Sequence, residues 1–374
     1  MFSLRSILQF NVLFSSHQRL PLGKHTASTG SNQSTSSIMA SQAASTGSSN
    51  YIKNVAIVGA AGQVGSYITA SLLETSKFII TAITRSDSTS KIPDGVKSAK
   101  VDYNDHASLV AALRGQDCLI ITMNTMAPRD TSAKLIQAAA EAEVPWVLPN
   151  EWGYDSGDEE LAKDAIVGAG NIVNRQLISK LGMSSWIAVV SGFWYEYSLG
   201  SSPVLYGFDF KNRAVTFYDD GERKTNTTTW DQTGMAVASL LSLKVRPDSE
   251  DDQSSSLSQF KNGFCYISSF KVSQKDMFES ILRVTGTKES DWQIKYEDVK
   301  KRYEDGVKEF DGGKGSRLGF GKLMYARVFF PDGCGCFEDR RGLHNDLLGL
   351  PNEDFDAATK KAVKRGEEGP QWGT

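Results

Sequence analysis

Residues 54–65 read NVAIVGAAGQVG, and the interpretation of this stretch decides the fold. Val55-Ala56-Ile57-Val58 is short, apolar and partly β-branched, the pattern of a strand buried on both faces of a parallel sheet. It runs into Gly59, Gly62 and Gly65 at three-residue spacing, then into a helical pattern carried by Val64, Ile68, Leu72 and Leu73. A second buried strand, residues 78–84, completes a βαβ unit. In that setting Gly59 allows the tight turn, Gly62 lets a pyrophosphate approach the backbone, and Gly65 lets the helix pack closely on the strand. The helix N-terminus offers unpaired N–H groups and its positive dipole end to the phosphates. The expected cofactor-binding set is Gly59, Ala61, Gly62, Gln63, Val64 and Gly65, with Met123 and Asn150 from later strand ends. An acidic residue ending the second strand would favour NAD, but Thr84-Arg85-Ser86 stands there. An arginine suits a 2′-phosphate, so NADP(H) is expected, with Thr84 and Arg85 at its rim.

Working outward, strands and helices keep alternating. Residues 98–102, 118–121, 146–148 and 186–190 read as strands, with helices over 107–113 (capped by Asp105), 131–142 and roughly 161–180. That rhythm predicts an α/β fold, a Rossmann-type doubly wound parallel sheet whose ligand lies beyond the C-terminal strand ends. Segments 122–126 and 149–154 should therefore face the crevice. After residue 197 the alternation loosens into a smaller α+β substrate lobe. It includes a strand at 215–218, a helix at 231–243, a polar loop at 247–261, a strand at 264–267 and a helix capped by Ser273. The division is a leader at 1–50, a nucleotide-binding domain at 51–197 and a substrate lobe at 198–374, from which the first sheet can regain strands.

Composition excludes several classes. A net charge of −3 gives no basic field for nucleic acid or a polybasic membrane footprint. No run of about 18 apolar residues is present to span a bilayer. Four cysteines in 374 residues point to reduced thiols rather than a disulfide scaffold. Cys334 and Cys336 with His344 lack the spacing of a zinc site, so no metal is expected. Residues 1–50 contain no Asp or Glu and are rich in Ser, Thr, Gln and Gly, a composition expected to be disordered. A true start at Met39 and a cytoplasmic location are expected; the alternative is mitochondrial, since residues 1–30 resemble a transit peptide.

VAIVGAAGQVG, the strand-end ITRS, VLPNEWGYD and SGFWYEYSL together resemble the NmrA-like, isoflavone-reductase-like branch of the atypical short-chain dehydrogenases. The run Gly192–Tyr197 and the stretch FEDRRGLHNDLLGLPNEDFDAATKKAV are similar to a fungal aromatic-alcohol-reductase-like subgroup. The resemblance covers residues 52–365 and implies an NADPH-dependent reductase, as in secondary metabolism. Plant members carry a lysine general base or acid that falls near Asn171-Ile172 here, and no lysine is present. Lys163 lies earlier and Lys180 ends the helix; Asp158 stands four residues after Tyr154, so the tyrosine–lysine dyad is missing too.

Hydride transfer also needs a proton source. Asn150, Glu151 and Tyr154 lie at a strand end, with Tyr195 and Tyr197 after the sixth strand; Tyr154 is the candidate catalytic acid. Phe193, Trp194 and Tyr195 are candidate substrate-binding residues in an aromatic wall, or plain core between lobes. The expected function is reduction of an activated C=C, C=N or C=O bond in a small, apolar, aromatic or alkaloid-like metabolite. The alternative is a non-catalytic NADP(H)-sensing regulator of the NmrA kind, which binds a protein partner.

Overall fold

The computed structural model describes residues 49–124, 127–128, 130–312 and 316–369. The expected leader up to residue 48, the alternative start Met39 and the crevice positions Thr125 and Met126 lie outside the described residues. Asn50, assigned to the leader from composition, is held in the fold: its side-chain amide donates to Arg246 O at 2.9 Å and to Asp248 Oδ1 at 2.8 Å.

The first part runs β1 (Asn54–Val58), α1 (Gln63–Glu74), β2 (Ile79–Arg85), β3 (Lys97–Val101), α2 (His106–Leu113), β4 (Cys118–Ile121), α3 (Thr131–Glu141) and β5 (Trp146–Leu148). It continues with α4 (Glu159–Asp164), α5 (Gly168–Leu181) and β6 (Ser185–Val190). The second part adds β7 (Phe193–Trp194), α6 (Tyr195–Gly200), α7 (Pro203–Tyr206), β8 (Phe208–Asp209), β9 (Ala214–Tyr218), β10 (Lys224–Thr228) and α8 (Trp230–Ser242). Then come β11 (Gly263–Tyr266), β12 (Phe270–Ser273), α9 (Gln274–Thr285), β13 (Gln293–Glu297), α10 (Val299–Gly312), α11 (Arg317–Arg327), α12 (Glu338–Arg341) and α13 (Phe355–Glu367).

The main sheet has the order β11-β6-β5-β4-β1-β2-β3, and its strand pairs are parallel. Val55 to Val58 are at most 2% exposed, as a central strand covered on both faces requires. The chain leaves β1 toward β2 on one side and continues from β4 to β6 on the other. The β1/β4 boundary is therefore the switch point where a crevice opens.

The division at residue 198 is not a clean cut. β11 pairs with β6 at the sheet edge, and α8 packs along α1. A Cβ on Gly234 would lie 2.6 Å from Tyr67 O, so glycine is what lets these two helices touch. The rest of the second part forms two three-stranded sheets, β12-β10-β7 and β13-β9-β8, and a helical hairpin of α10 and α11.

One helix predicted across residues 161–180 is two. Asp158 caps α4 by accepting from Leu161 N. The helix stops because the Asp164 carbonyl accepts the Tyr303 hydroxyl at 3.0 Å, and Ala165 is extended. α5 restarts at Gly168, whose Cβ, if it had one, would sit 1.9 Å from Ala162 O. Two caps fall where the sequence puts them: Asp105 accepts from Ser108 N, and Ser273 and Asp276 form a capping box. Among the described residues, no helix is long and apolar enough to cross a membrane.

The glycines around β1 make a stability prediction. A Cβ at Gly65 would meet Gly59 O at 2.1 Å and Thr122 Oγ1 at 2.7 Å, whereas one at Gly62 meets only Gly59 O, at 3.1 Å. Gly65→Ala should lose about 1–3 kcal/mol by chemical denaturation, as overpacked sites do, while Gly62→Ala stays close to wild type. Equal midpoints for the two variants would contradict this packing.

Candidate functional site

At the end of β1 the chain turns through Gly59 at φ +82°, a left-handed conformation that favours glycine. Thr122, just past β4, donates to Val58 O through its amide at 2.9 Å and its hydroxyl at 2.7 Å. Gly62 N donates to Gly59 O at 2.8 Å, and α1 starts with no side-chain cap and no acidic residue in its first turn. The helix thus presents bare amides and its positive end beside the switch point, which is the chemistry of an anion cradle. Ala61, Gly62 and Gln63 are exposed on that surface. The Val64 side chain is 5% exposed and belongs to the core, so only its backbone can face a ligand.

The rim continues at the end of β2. Thr84 is half-buried, and the Arg85 side chain is 67% exposed, with Nε 3.4 Å from Asp87 Oδ1. An exposed pair of this kind is weak, and a phosphate can displace it. Lys100 Nζ lies 3.5 Å from Ser86 O, because β3 pairs Lys100 with Thr84. Sequence reading missed Lys100, since only strand order brings it beside the β2 end.

Asn150 accepts from Met123 N at 3.0 Å and donates to Met123 O at 3.1 Å. Its amide is committed to fixing the turn after β4, so it positions Met123. Trp152 Nε1 reinforces the turn by donating to Ile121 O at 2.7 Å.

Tyr154 is 7% exposed, and its hydroxyl lies 3.5 Å from Asn171 Nδ2 on α5. Asn171 therefore occupies the place beside the phenol where the resemblance implied a lysine. Burial pushes the Tyr154 phenol well above its usual range, with the Glu151 charge adding to the rise. Lys163 is exposed and paired with Glu160, and Lys180 is exposed at the end of α5. Arg175, one turn beyond Asn171, is a nearby cation but is committed to Glu151 in a buried pair. Ser156 Oγ donates to Glu151 at 2.6 Å, and Arg175 Nη2 donates to Ser156 O at 3.1 Å. Burial raises the Glu151 pKa against the pull of Arg175. The loop is anchored further by Asp155, which accepts from the Tyr266 hydroxyl at 3.1 Å, and by Asp158 with Arg340 at 2.5 Å. The sequence reading did not single out Arg175; its one signal was a position four residues after Asn171 on the same helix.

The aromatic run divides. Phe193 is half-buried, stacks on Tyr325 at 4.1 Å and faces Gly153. Trp194 is also half-buried, at the seam with α8. Tyr195 is fully buried: its hydroxyl bonds to Thr359 at 2.7 Å, and its ring packs on Phe270 and Phe355. It is second-lobe core rather than cleft wall, because the chain enters α6 at this residue and turns the ring inward. Tyr197 is half-buried, with its ring 6.2 Å from that of Trp194. The cysteines are engaged elsewhere. Cys334 Sγ accepts from Arg327 at 2.8 Å and Cys336 Sγ donates to Lys224 O at 2.8 Å. His344 Nδ1 accepts from Tyr266 N at 3.0 Å.

Fold and glycine loop together define a Rossmann-type α/β protein with a second lobe over its strand ends. Residues 52–184 match the NmrA-like family. Oxidoreductase aprR of Aspergillus flavus is 25% identical over 316 residues, which span 83% of this chain and 98% of the relative. Among solved structures, that of the pinoresinol-lariciresinol and phenylcoumaran benzylic ether reductases superposes with a TM-score of 0.67 at 20% identity, covering 83% of this chain and 99% of that one. An NADPH-dependent quinone oxidoreductase from Escherichia coli gives 0.59 at 18% identity, covering 82% and 98%. Over residues 52–184 the chain is thus similar to the NmrA-like family, and over most of its length to a fungal oxidoreductase.

Glu196, beside the aromatic wall, makes a pH prediction. It is 4% exposed, accepts from Trp230 N at 3.3 Å, and is pushed up to about 7 by burial. With the folded pKa raised above the unfolded one, its contribution is fully present below the unfolded pKa and is lost as pH rises toward 7. Glu196→Gln should flatten the fall in melting temperature between about pH 5 and 8 and be the more stable protein at the upper end. Parallel pH profiles for wild type and variant would contradict the assignment.

Proposed function

We propose that this chain is an NADPH-dependent reductase of a small, largely apolar aromatic or alkaloid-like metabolite, acting on a conjugated C=C, C=N or C=O bond. The observation that carries the reading is the bare N-terminus of α1 behind Gly62, with Arg85 exposed at the end of the neighbouring strand. A pyrophosphate fits the side of Gly62 where a Cβ would meet only Gly59 O, and Arg85 with Lys100 suits a 2′-phosphate. The oxidoreductase name of the fungal relative and the NADPH-dependent neighbour support the same class.

NADPH, when bound, supplies the hydride. The residues of this chain do the rest. Asn150 fixes the Met123 turn, and the buried Glu151–Arg175 pair holds the loop that carries Tyr154. Phe193 and Trp194 give an apolar wall that excludes water. Tyr154 keeps its proton throughout the neutral range and can donate it, or a hydrogen bond, to a developing negative charge. The net charge of −3 offers no basic field for nucleic acid, which fits a small-molecule ligand.

Two measurements test this. NADPH should bind more tightly than NADH, and Arg85→Ala should cut that preference by about 10- to 100-fold, the worth of charge-assisted hydrogen bonds. A variant that keeps the wild-type preference places the 2′-phosphate elsewhere. On a substrate that the wild type reduces, Tyr154→Phe should lower turnover by roughly two to four orders of magnitude. Turnover within a few-fold of wild type removes Tyr154 as the acid. Asn171 in the lysine position favours one second reading, a sensor that binds NADPH without turnover. Cofactor binding with no oxidation across a panel of conjugated aromatic acceptors would select it.

A further inference from the structure

The seam between the two lobes gathers hydrogen-bond donors that have no acceptor. Tyr67 of α1, Trp194, Tyr197 and Trp230 pack ring to ring; Tyr67 stacks on Trp230 at 5.5 Å and Trp194 lies 6.4 Å from it. Arg365 of α13 lays its guanidinium over this group, 5.4 Å from the Tyr197 ring and 5.2 Å from the Trp230 ring. Its Nε donates to Ser201 Oγ at 2.7 Å, but Nη2 is buried without a partner, as are the indole N–H groups of Trp194 and Trp230. Trp230 itself is 6% exposed.

These orphans are all donors, and one carries a charge. Among the described residues no carboxylate forms an ion pair with Arg365, and burial pushes its pKa down, as expected for a cation without a counter-ion. Glu368 and Glu196 act on Arg365 only at a distance, and Glu196 accepts from the Trp230 amide. Tyr197 feels a second guanidinium as well, since Arg317 at the start of α11 acts on its hydroxyl together with Arg365. Buried donors and an unpaired cation are costly unless an acceptor arrives. Aromatic rings around them suit a planar, conjugated ligand.

We propose that this seam is a binding site for an aromatic carboxylate, its anionic oxygens meeting Arg365 and the two indole N–H groups. Its ring would lie against the half-buried faces of Trp194 and Tyr197. That this ligand is the substrate rests on the reductase reading; the site itself does not.

The test is calorimetric titration of the full chain with benzoate and trans-cinnamate, against their uncharged amides benzamide and cinnamamide. NADPH is titrated separately. The acids should bind at least about tenfold more tightly than the amides, as a charge-assisted contact implies, and Arg365→Gln should abolish the difference while leaving NADPH affinity unchanged. Trp194→Phe keeps the ring and the charge, and should weaken only the acids, by several-fold. Equal binding of acid and amide, no binding of either, or discrimination that survives in Arg365→Gln would overturn the site. If Arg365→Gln does not fold, wild-type affinity for the acids in Trp194→Phe overturns it instead. Failure of NADPH to bind the wild type would count against the reductase reading alone.

Discussion

The architecture depends on one close approach: Gly59, Gly65 and Thr122 meet without room for a β-carbon. The Thr122 amide and hydroxyl both hold Val58 O, and Gly65 rests on Gly59 O. This contact joins β4 to the β1 end and draws the start of α1 against the sheet. Because α1 begins there with no side-chain cap, its amides are left for something outside the chain. A fold that needed only stability would have spent a Ser or Asp at that position.

From that point the second lobe is arranged over the strand ends by buried polar contacts rather than by apolar packing alone. Glu151, Arg175 and Ser156 hold the loop after β5, while Asp155 and Asp158 tie it to Tyr266 and to α12. Removing one partner of such a pair strands the other in low dielectric, so each contact is costly to lose. Tyr154 is carried on it. A tyrosine buried this way keeps its proton, and Asn171 beside it cannot shift that balance as a lysine would. A phenol held in its protonated form can donate a hydrogen bond but is a poor base.

What could be read in the sequence was local. The glycine spacing, the Asp105 cap and the Ser273 capping box are three- to four-residue signals, and each appears where expected. The resemblance put the family lysine position near Asn171, and that residue lies beside Tyr154. The misses arose from contacts distant in sequence. Tyr303 ends α4 through Asp164 across the fold, so one helix became two. Tyr195 is core because the strand-to-helix change at this residue turns its ring inward. Lys100 and Arg365 reach the site only through strand order and the docking of α13. The α10–α11 hairpin rests on Gly306 and Gly319, whose role is visible only once the helices cross: a Cβ there would lie 2.6 Å from Leu323 N and 2.4 Å from Phe310 N.

The central claim is that the uncapped start of α1 binds a dinucleotide phosphate. Gly62 tests it, since its backbone, at φ −77° and ψ 177°, is open to a branched residue, and the contact a Cβ would make within the protein is with Gly59 O at 3.1 Å, so the fold is verified alongside. The decisive measurement is calorimetric titration of NADPH into the wild type and into Gly62→Val, with circular dichroism to verify the fold. The account predicts saturable binding to the wild type and none to a folded Gly62→Val. Wild-type affinity in the folded variant would contradict it.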